Sequence, residues 1–349
     1  MTTSELQDLP GIDAGVGDVA QLRGALIRLT LHISGRADDG FVRSLRSEAT
    51  GGDVGLAGRS LAWAVLDGRV VLPIDAALLL GMVLDATDPR PGLSDALLAV
   101  SSDTAIDGSP SFRFESLDVA APTVASAIGV AAATDGVLAV WQVQRVPALD
   151  VSWPRPVVVC AVEVADDADS VAIGAAFDGA LAESGAVEPM IEVFVTGSET
   201  PPTLQAAVAA APPIWAVAGV DDPQVAPVFD EVVDGVGRFA GDHPLVEQRS
   251  RAGLAEALDA GHPLVDGPAT LPDVVDPAAG PVVPTTLRTD GTWIWSDAAR
   301  YYLVEHGLAP HGPLVEHLRT RGHAPDRLSM FTLQRAADLV VGPDDRRPA

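Results

Sequence analysis

Near the C-terminal end, Arg288, Trp293, Trp295, Tyr301 and Tyr302 fall close together in the chain, and these are residue types that dominate contact energies between proteins. A guanidinium over an indole is attracted by roughly 0.5 to 2 kcal/mol through cation–π interaction. The Asp290-Gly291 pair between them favours the two positive-φ positions of a two-residue type I′ hairpin. Such a turn sets Thr289 opposite Thr292, Arg288 opposite Trp293, Leu287 opposite Ile294 and Thr286 opposite Trp295. Because side chains alternate along a strand, Arg288, Trp293 and Trp295 then share one face, with Leu287 and Ile294 on the other. The rings have two uses: to build the core of a small module, or to leave an indole and a tyrosine at the surface as a rigid protein-contact patch. The surface patch is the partner-binding site this reading expects.

A second set of oxygen-bearing side chains follows the apolar runs that end at Val164, Val195 and Ala218. Asp166, Thr196, Ser198, Glu199, Asp221 and Asp222 would line the crevice at the carboxyl ends of parallel strands, where α/β sheets usually place ligands. They define the alternative reading, an enzyme or small-ligand binder. A structural or chaperone-like scaffold with an exposed apolar groove is a third.

Several chemistries are excluded outright. The chain contains no lysine, and so has no phosphate-loop lysine, no kinase ATP lysine and no Schiff-base nucleophile. No G-x-S-x-G or H-E-x-x-H motif occurs. Gly15-Val16-Gly17 and Gly235-Val236-Gly237 match half a dinucleotide fingerprint, but neither lies between a strand and a helix. His306, His311, His317 and His323 are not spaced to put two imidazoles on one helix face, and each suits a helix end or a turn. Asp166, Asp167 and Asp169 lack the glycine and terminal Glu of a calcium loop and read as helix-capping acids. No cofactor and no metal are expected.

Elements that could hold these groups follow from periodicity. Helical spacing over Gln21–Ile33, Phe41–Glu48, Gly58–Leu66 and Pro73–Leu84 predicts a mostly helical region across 19–100, with a strand at Val70–Leu72. An α/β domain across 111–260 is predicted from strands at Val137–Val146, Pro156–Val164, Met190–Val195 and Ile214–Ala218. They alternate with helices at Ser170–Glu183, Thr203–Ala210 and Gln224–Phe239. That order implies βαβ units and a mixed or partly parallel sheet. The proline-rich stretch 261–284 reads as a linker or wrapping arm. Residues 285–342 read as a hairpin and three short helices, with Ser296 capping the first and Gly307 ending it.

Composition bounds the partner. The 349 residues carry 48 acids against 22 arginines, a net charge of -26, which repels phosphate backbones and anionic lipid and attracts cations. A basic protein partner is therefore expected, with no nucleic acid and no membrane surface. The chain also lacks asparagine, and losing both AA-prefixed codon families points to high-GC bacterial coding; halophilic adaptation is the other source of such an acidic surface. Cys160 stands alone, so no intramolecular disulfide can form, and the N-terminal residues lack the basic-then-apolar order of an export signal. A cytoplasmic location is the expectation.

The pattern R-T-D-G-x-W-x-W, then D-A-x-x-Y-Y-L and H-G, from Leu287 to about Arg321, resembles a segment near the C-termini of uncharacterised proteins of high-GC bacteria, some of them similar to polymorphic-toxin immunity proteins. The resemblance implies an acidic cytoplasmic protein that neutralises a toxin by binding it. Together the residues and the resemblance lead to a non-enzymatic α/β protein that binds a basic, toxin-like partner.

Overall fold

The computed structural model describes residues 19–101, 112–118, 120–147, 156–198, 200–219, 221–265, 267, 269–321 and 328–341. It is an α/β protein whose chain forms two compact units, one ending at Ala216 and the other starting at Val217.

The first unit opens with helices α1 (Val19–Ile33), α2 (Asp39–Thr50), α3 (Val54–Leu66), α4 (Ile74–Thr87) and α5 (Leu93–Val100). It continues through β1 (Phe112–Ser116), α6 (Pro122–Ala133), β2 (Val137–Pro147), β3 (Val157–Val164), α7 (Ser170–Glu183), β4 (Met190–Val195), α8 (Pro202–Ala209) and β5 (Trp215–Ala216). Aspartates begin three of the helices: Asp38 accepts from the Phe41 amide, Asp53 from Leu56, and Asp169 from Val171 and Ala172. Each satisfies donors that a first helical turn otherwise leaves unbonded. The strands lie in the order β1-β2-β3-β4, with β5 pairing the other half of β2. β2 and β3 are antiparallel, and the β3-α7-β4 crossover makes the parallel pair.

Strand alternation gives this sheet two apolar faces, each covered by helices. Val143, Val159 and Met190 face α1 to α5 and join Leu26, Leu29, Leu45, Leu61 and Leu80 in one cluster. Cys160, Val162, Val164 and Val193 face α6 and α7 with Ile173 and Phe177. The helical region expected over 19–100 is thus one layer of a three-layer unit. Val70–Leu72 is not a strand: the Val70 amide bonds to Ala64 O, folding this segment back on the end of α3.

Arg46 of α2 fastens that layer to the sheet. Its Nε donates to Thr30 Oγ1 at 2.8 Å, its Nη1 to the Ile191 carbonyl on edge strand β4 at 2.8 Å, and its Nη2 to Glu192 Oε2 at 2.7 Å. Ser34 donates to the other oxygen of Glu192. The planar fork fits several acceptors at once and also covers part of a strand edge that would otherwise be free to pair with another chain.

The second unit contains β6 (Gln224–Val225), β7 (Glu231–Val233), β8 (Val236–Arg238), α9 (Gln248–Asp259), β9 (His262–Val265), β10 (Thr270–Pro272) and β11 (Pro281–Pro284). β12 (Leu287–Thr289), β13 (Trp293–Ser296), α10 (Asp297–His306), α11 (Gly312–Arg321) and α12 (Met330–Val341) follow. One sheet has the order β6-β13-β12-β9, and β7-β8 and β10-β11 form separate pairs. The proline-rich stretch 261–284 therefore supplies strands of this unit.

Two sequence expectations are corrected here. Gln224–Phe239 is not a helix, since Pro227 lacks an amide donor and Asp234 and Gly235 both have positive φ, 52° and 78°. They form the two-residue turn that pairs Val233 with Val236. Asp290-Gly291 does not form one. Gly291 has φ 89°, while the Asp290 carboxylate accepts from the Thr292 and Trp293 amides at 3.0 and 2.9 Å. The loop therefore runs from Asp290 to Thr292, Trp293 opens β13, and the register pairs Thr289 with Ile294, Arg288 with Trp295 and Leu287 with Ser296. A slip by an even number of residues keeps every side chain on its expected face.

Arg46→Ala should destabilise the first unit by about 3–5 kcal/mol, because it leaves the buried Glu192 carboxylate without its cation. The Arg46→Met, Glu192→Leu double variant should lose much less, as read by urea unfolding. Equal losses in the two variants would contradict the role given to the fork.

Candidate functional site

The C-terminal rings are core. Trp295 is 1% exposed and its indole N–H donates to Leu258 O at 3.2 Å. Gly261 makes room for it, since a Cβ there would stand 2.2 Å from the ring. Trp293 is 6% exposed and packs beside His311 with ring centroids 5.7 Å apart. Tyr302 is 2% exposed, accepts from the Val274 amide and meets Phe229 and Phe239 edge-on. Arg288 stacks on neither indole: it donates to Asp297 at 2.7 Å and to the Asp259 and Gly261 carbonyls, both at 3.1 Å. Of the expected patch, Arg288 and Tyr301 are partly open, and the Tyr301 hydroxyl donates to Asp273 Oδ2 at 3.0 Å. Ser296 caps α10 and Gly307, with φ 72°, ends it, as the sequence predicts.

Aspartate–histidine pairs lock the loops around these rings. Asp273 accepts from the Val275 and Asp276 amides and from Tyr301, and sits 2.6 Å from His306 Nε2. Asp290 is 2.6 Å from His317 Nε2 and 3.3 Å from Arg321 Nη1. Asp230 accepts from the Ala240 amide at 2.7 Å and lies 2.8 Å from His243 Nδ1, whose other nitrogen is 2.9 Å from Ala309 O. Burial alone would raise the Asp273 pKa, but the hydrogen bonds of His306, the two amides and Tyr301 outweigh it and hold the carboxyl below its ordinary range. Asp230 is lowered by the Ala240 amide and by His243. Tyr301 is pushed up to about 12 by burial and by its bond to Asp273. His306 and His317 are thus spent on carboxylates. Among the described residues no group of His, Cys, Asp and Glu side chains is arranged to hold a metal ion.

The alternative ligand set is divided. Asp166 is exposed after β3, and Thr196 and Ser198 follow β4, where Ser198 Oγ donates to Val195 O. Those three share one end of the parallel pair. Asp221 and Asp222 belong to the second unit, where Asp222 pairs with Arg335, and Glu199 lies outside the described residues. A small cleft lies toward the opposite, amino ends of β3 and β4, among Ser34, Phe114, Arg145, Val159, Glu192 and Thr203. Its free space is about 10 Å³, room for about one water molecule.

No family model, curated protein or solved structure matches the chain.

The open aromatic is elsewhere. Trp63 on α3 is 65% exposed, and Leu56 and Leu66 of the same helix are exposed as well. The sequence predicts this helix, but the periodicity that marks its core stripe draws no attention to the ring outside it. The available signal was phase: Ala57, Leu61, Ala64 and Val65 take the buried side, so Trp63 must point away.

Asp273→Asn supplies a pH test. A carboxyl whose folded pKa is depressed contributes stability above its unfolded value of about 3.9 and loses it as pH falls through the folded value. The stability advantage of wild type over Asp273→Asn should be full at neutral pH and shrink on acidification below about pH 4, followed by near-ultraviolet circular dichroism in urea. An advantage independent of pH would contradict the assignment.

Proposed function

We propose that this chain is a non-enzymatic protein that binds a basic protein partner through its acidic surface. The supporting observation is the one-signed outer layer of the first unit. Residues 114–144 and 156–198, which include α6 and α7, contain no arginine, lysine or histidine. Asp135, Asp166, Asp167, Asp169, Asp178 and Glu183 are exposed there. Between them α7 exposes Ala172, Ala175, Ala176, Gly179 and Ala182, a low surface of small side chains over which carboxylate fields add without local neutralisation. Such a field raises encounter rates with cations by 10- to 1,000-fold and weakens steeply with salt, on the order of magnitude known for steered association.

The resemblance of the Leu287 to Arg321 segment to proteins similar to toxin-immunity proteins names the partner class: a cationic toxin held inactive by a tight complex. On this reading the C-terminal module acts as a rigid scaffold, because its rings are committed to their own core. Among the described residues no helix is long and apolar enough to cross a membrane.

The test is stopped-flow association with the protein encoded beside this chain, from low salt to about 1 M, over which the Debye length contracts to roughly 3 Å. The association rate constant should fall by at least about tenfold. Changing Asp166, Asp167 and Asp178 together to Ser should lower the low-salt rate and flatten its salt dependence. A rate indifferent to salt would overturn the reading.

A further inference from the structure

Two turns of α3 separate Leu56 from Trp63, and Leu66 lies one further turn on, so the three occupy one side of the helix. Ala57, Leu61, Ala64 and Val65 fill the opposite, buried side. The indole is 65% exposed in a chain with only 5% aromatic residues, and burying such a ring is among the largest single gains an interface can make. Nothing within the described residues takes that gain.

Charge decides what could cover this face. From Gly51 to Ser101 there are six acids, Asp53, Asp67, Asp75, Asp85, Asp88 and Asp95, and three bases, Arg59, Arg69 and Arg90. All three arginines are already ion-paired, with Asp88, Asp67 and Asp88 respectively. Asp53, Asp75, Asp85 and Asp95 remain without a cation among the described residues. A second copy would bring the same exposed, uncompensated acids of this region, on a chain of net charge -26. A cationic partner meets attraction instead. The stripe from Leu56 to Leu66 runs for roughly 15 Å along the helix axis at 1.5 Å per residue, about the length of three turns of a helix laid against it.

We propose that the outer face of α3, centred on Trp63, is the docking surface for a basic amphipathic helix of a partner protein. This rests on the reading of the chain as a binder of cationic protein and adds a contact on α3, in the helical layer on the other face of the sheet from α6 and α7, whose acids act on the encounter at a distance.

The experiment uses the full chain and two labelled synthetic helices, followed by fluorescence anisotropy. One carries leucines at i, i+3, i+4 and i+7 with lysines elsewhere; the other keeps the leucines and replaces each lysine with glutamine. The lysine helix should bind wild type, bind Trp63→Ala at least about tenfold more weakly, and bind Val187→Ala unchanged, since Val187 is a comparably open apolar residue outside α3. The glutamine helix should bind wild type more weakly than the lysine helix. Far-ultraviolet circular dichroism checks that Trp63→Ala keeps the wild-type fold. Equal affinity of wild type and Trp63→Ala for the lysine helix would overturn the docking surface and leave the charge reading standing. Equal binding of both helices, with Trp63 still required, would overturn the cationic occupant. Failure of both helices to bind wild type would overturn the proposal as a whole, and a wild-type dimer abolished by Trp63→Ala in sedimentation would replace the partner helix with a second copy.

Discussion

The first unit depends on one guanidinium. Arg46 must satisfy a buried carboxylate, a strand-edge carbonyl and a helix hydroxyl together, and its three donor nitrogens reach Glu192, Ile191 O and Thr30 at 2.7 to 2.8 Å. Remove it and Glu192 is left as a buried charge facing the helical layer, a state costly enough to decide the fate of a domain. With it in place, α1 and α2 are fixed on β4, and α3 packs on that pair through Leu61 and Ala57. The direction in which Trp63 points follows from this chain of contacts.

The second unit answers a compositional constraint. Side-chain amides and carboxylates both close tight turns by accepting backbone N–H groups, but a chain without asparagine must use aspartate. Asp273 and Asp290 each accept from the backbone of their own loops, and Asp230 accepts from the Ala240 amide across the base of the β7–β8 hairpin. Asp273 and Asp290 bring negative charge toward the interior, and all three acids are met by a histidine: His243 at Asp230, His306 at Asp273 and His317 at Asp290. Two of the histidines that the sequence assigns to turns and helix ends, His306 and His317, are therefore counterparts of the turn-forming acids, while His311 packs against Trp293. This network holds β12, β13, α10 and α11 around the indoles and leaves Arg288 no ring to stack on.

Much of this architecture was legible in the chain. The β-branched runs at Val157–Val164 and Met190–Val195, with an Asp169-capped helix between them, are read directly, because a sheet covered on both faces needs continuous apolar strands. The Gln224–Phe239 stretch was misread because Val225, Val228, Val232 and Val236 suit helical spacing as well as short strands. Only the backbone shows which Asp-Gly pair adopts two positive φ angles: Asp234-Gly235 does, while Asp290 is held by its own carboxylate bonds and by His317. The helix α6 leaves little trace in the sequence because its alanine-rich run carries almost no amphipathic signal. The two tryptophans of the expected contact patch alternate along β13 and so share one face. Their burial was decided by α9 and α11, whose Leu258, Leu314 and Leu318 close over them. The exposed indole on α3 was hidden in plain composition, since a single tryptophan changes no periodicity.

The central claim is that the chain meets its partner through the first unit while the C-terminal rings stay closed. Hydrogen–deuterium exchange on the full chain, alone and saturated with a cationic amphipathic helix, tests this most directly. The account predicts new protection along α3 and unchanged exchange in β13, α10 and α11. Protection gained at Trp293–His306 with α3 unaffected would contradict it, and would place the contact on rings that the free structure keeps buried.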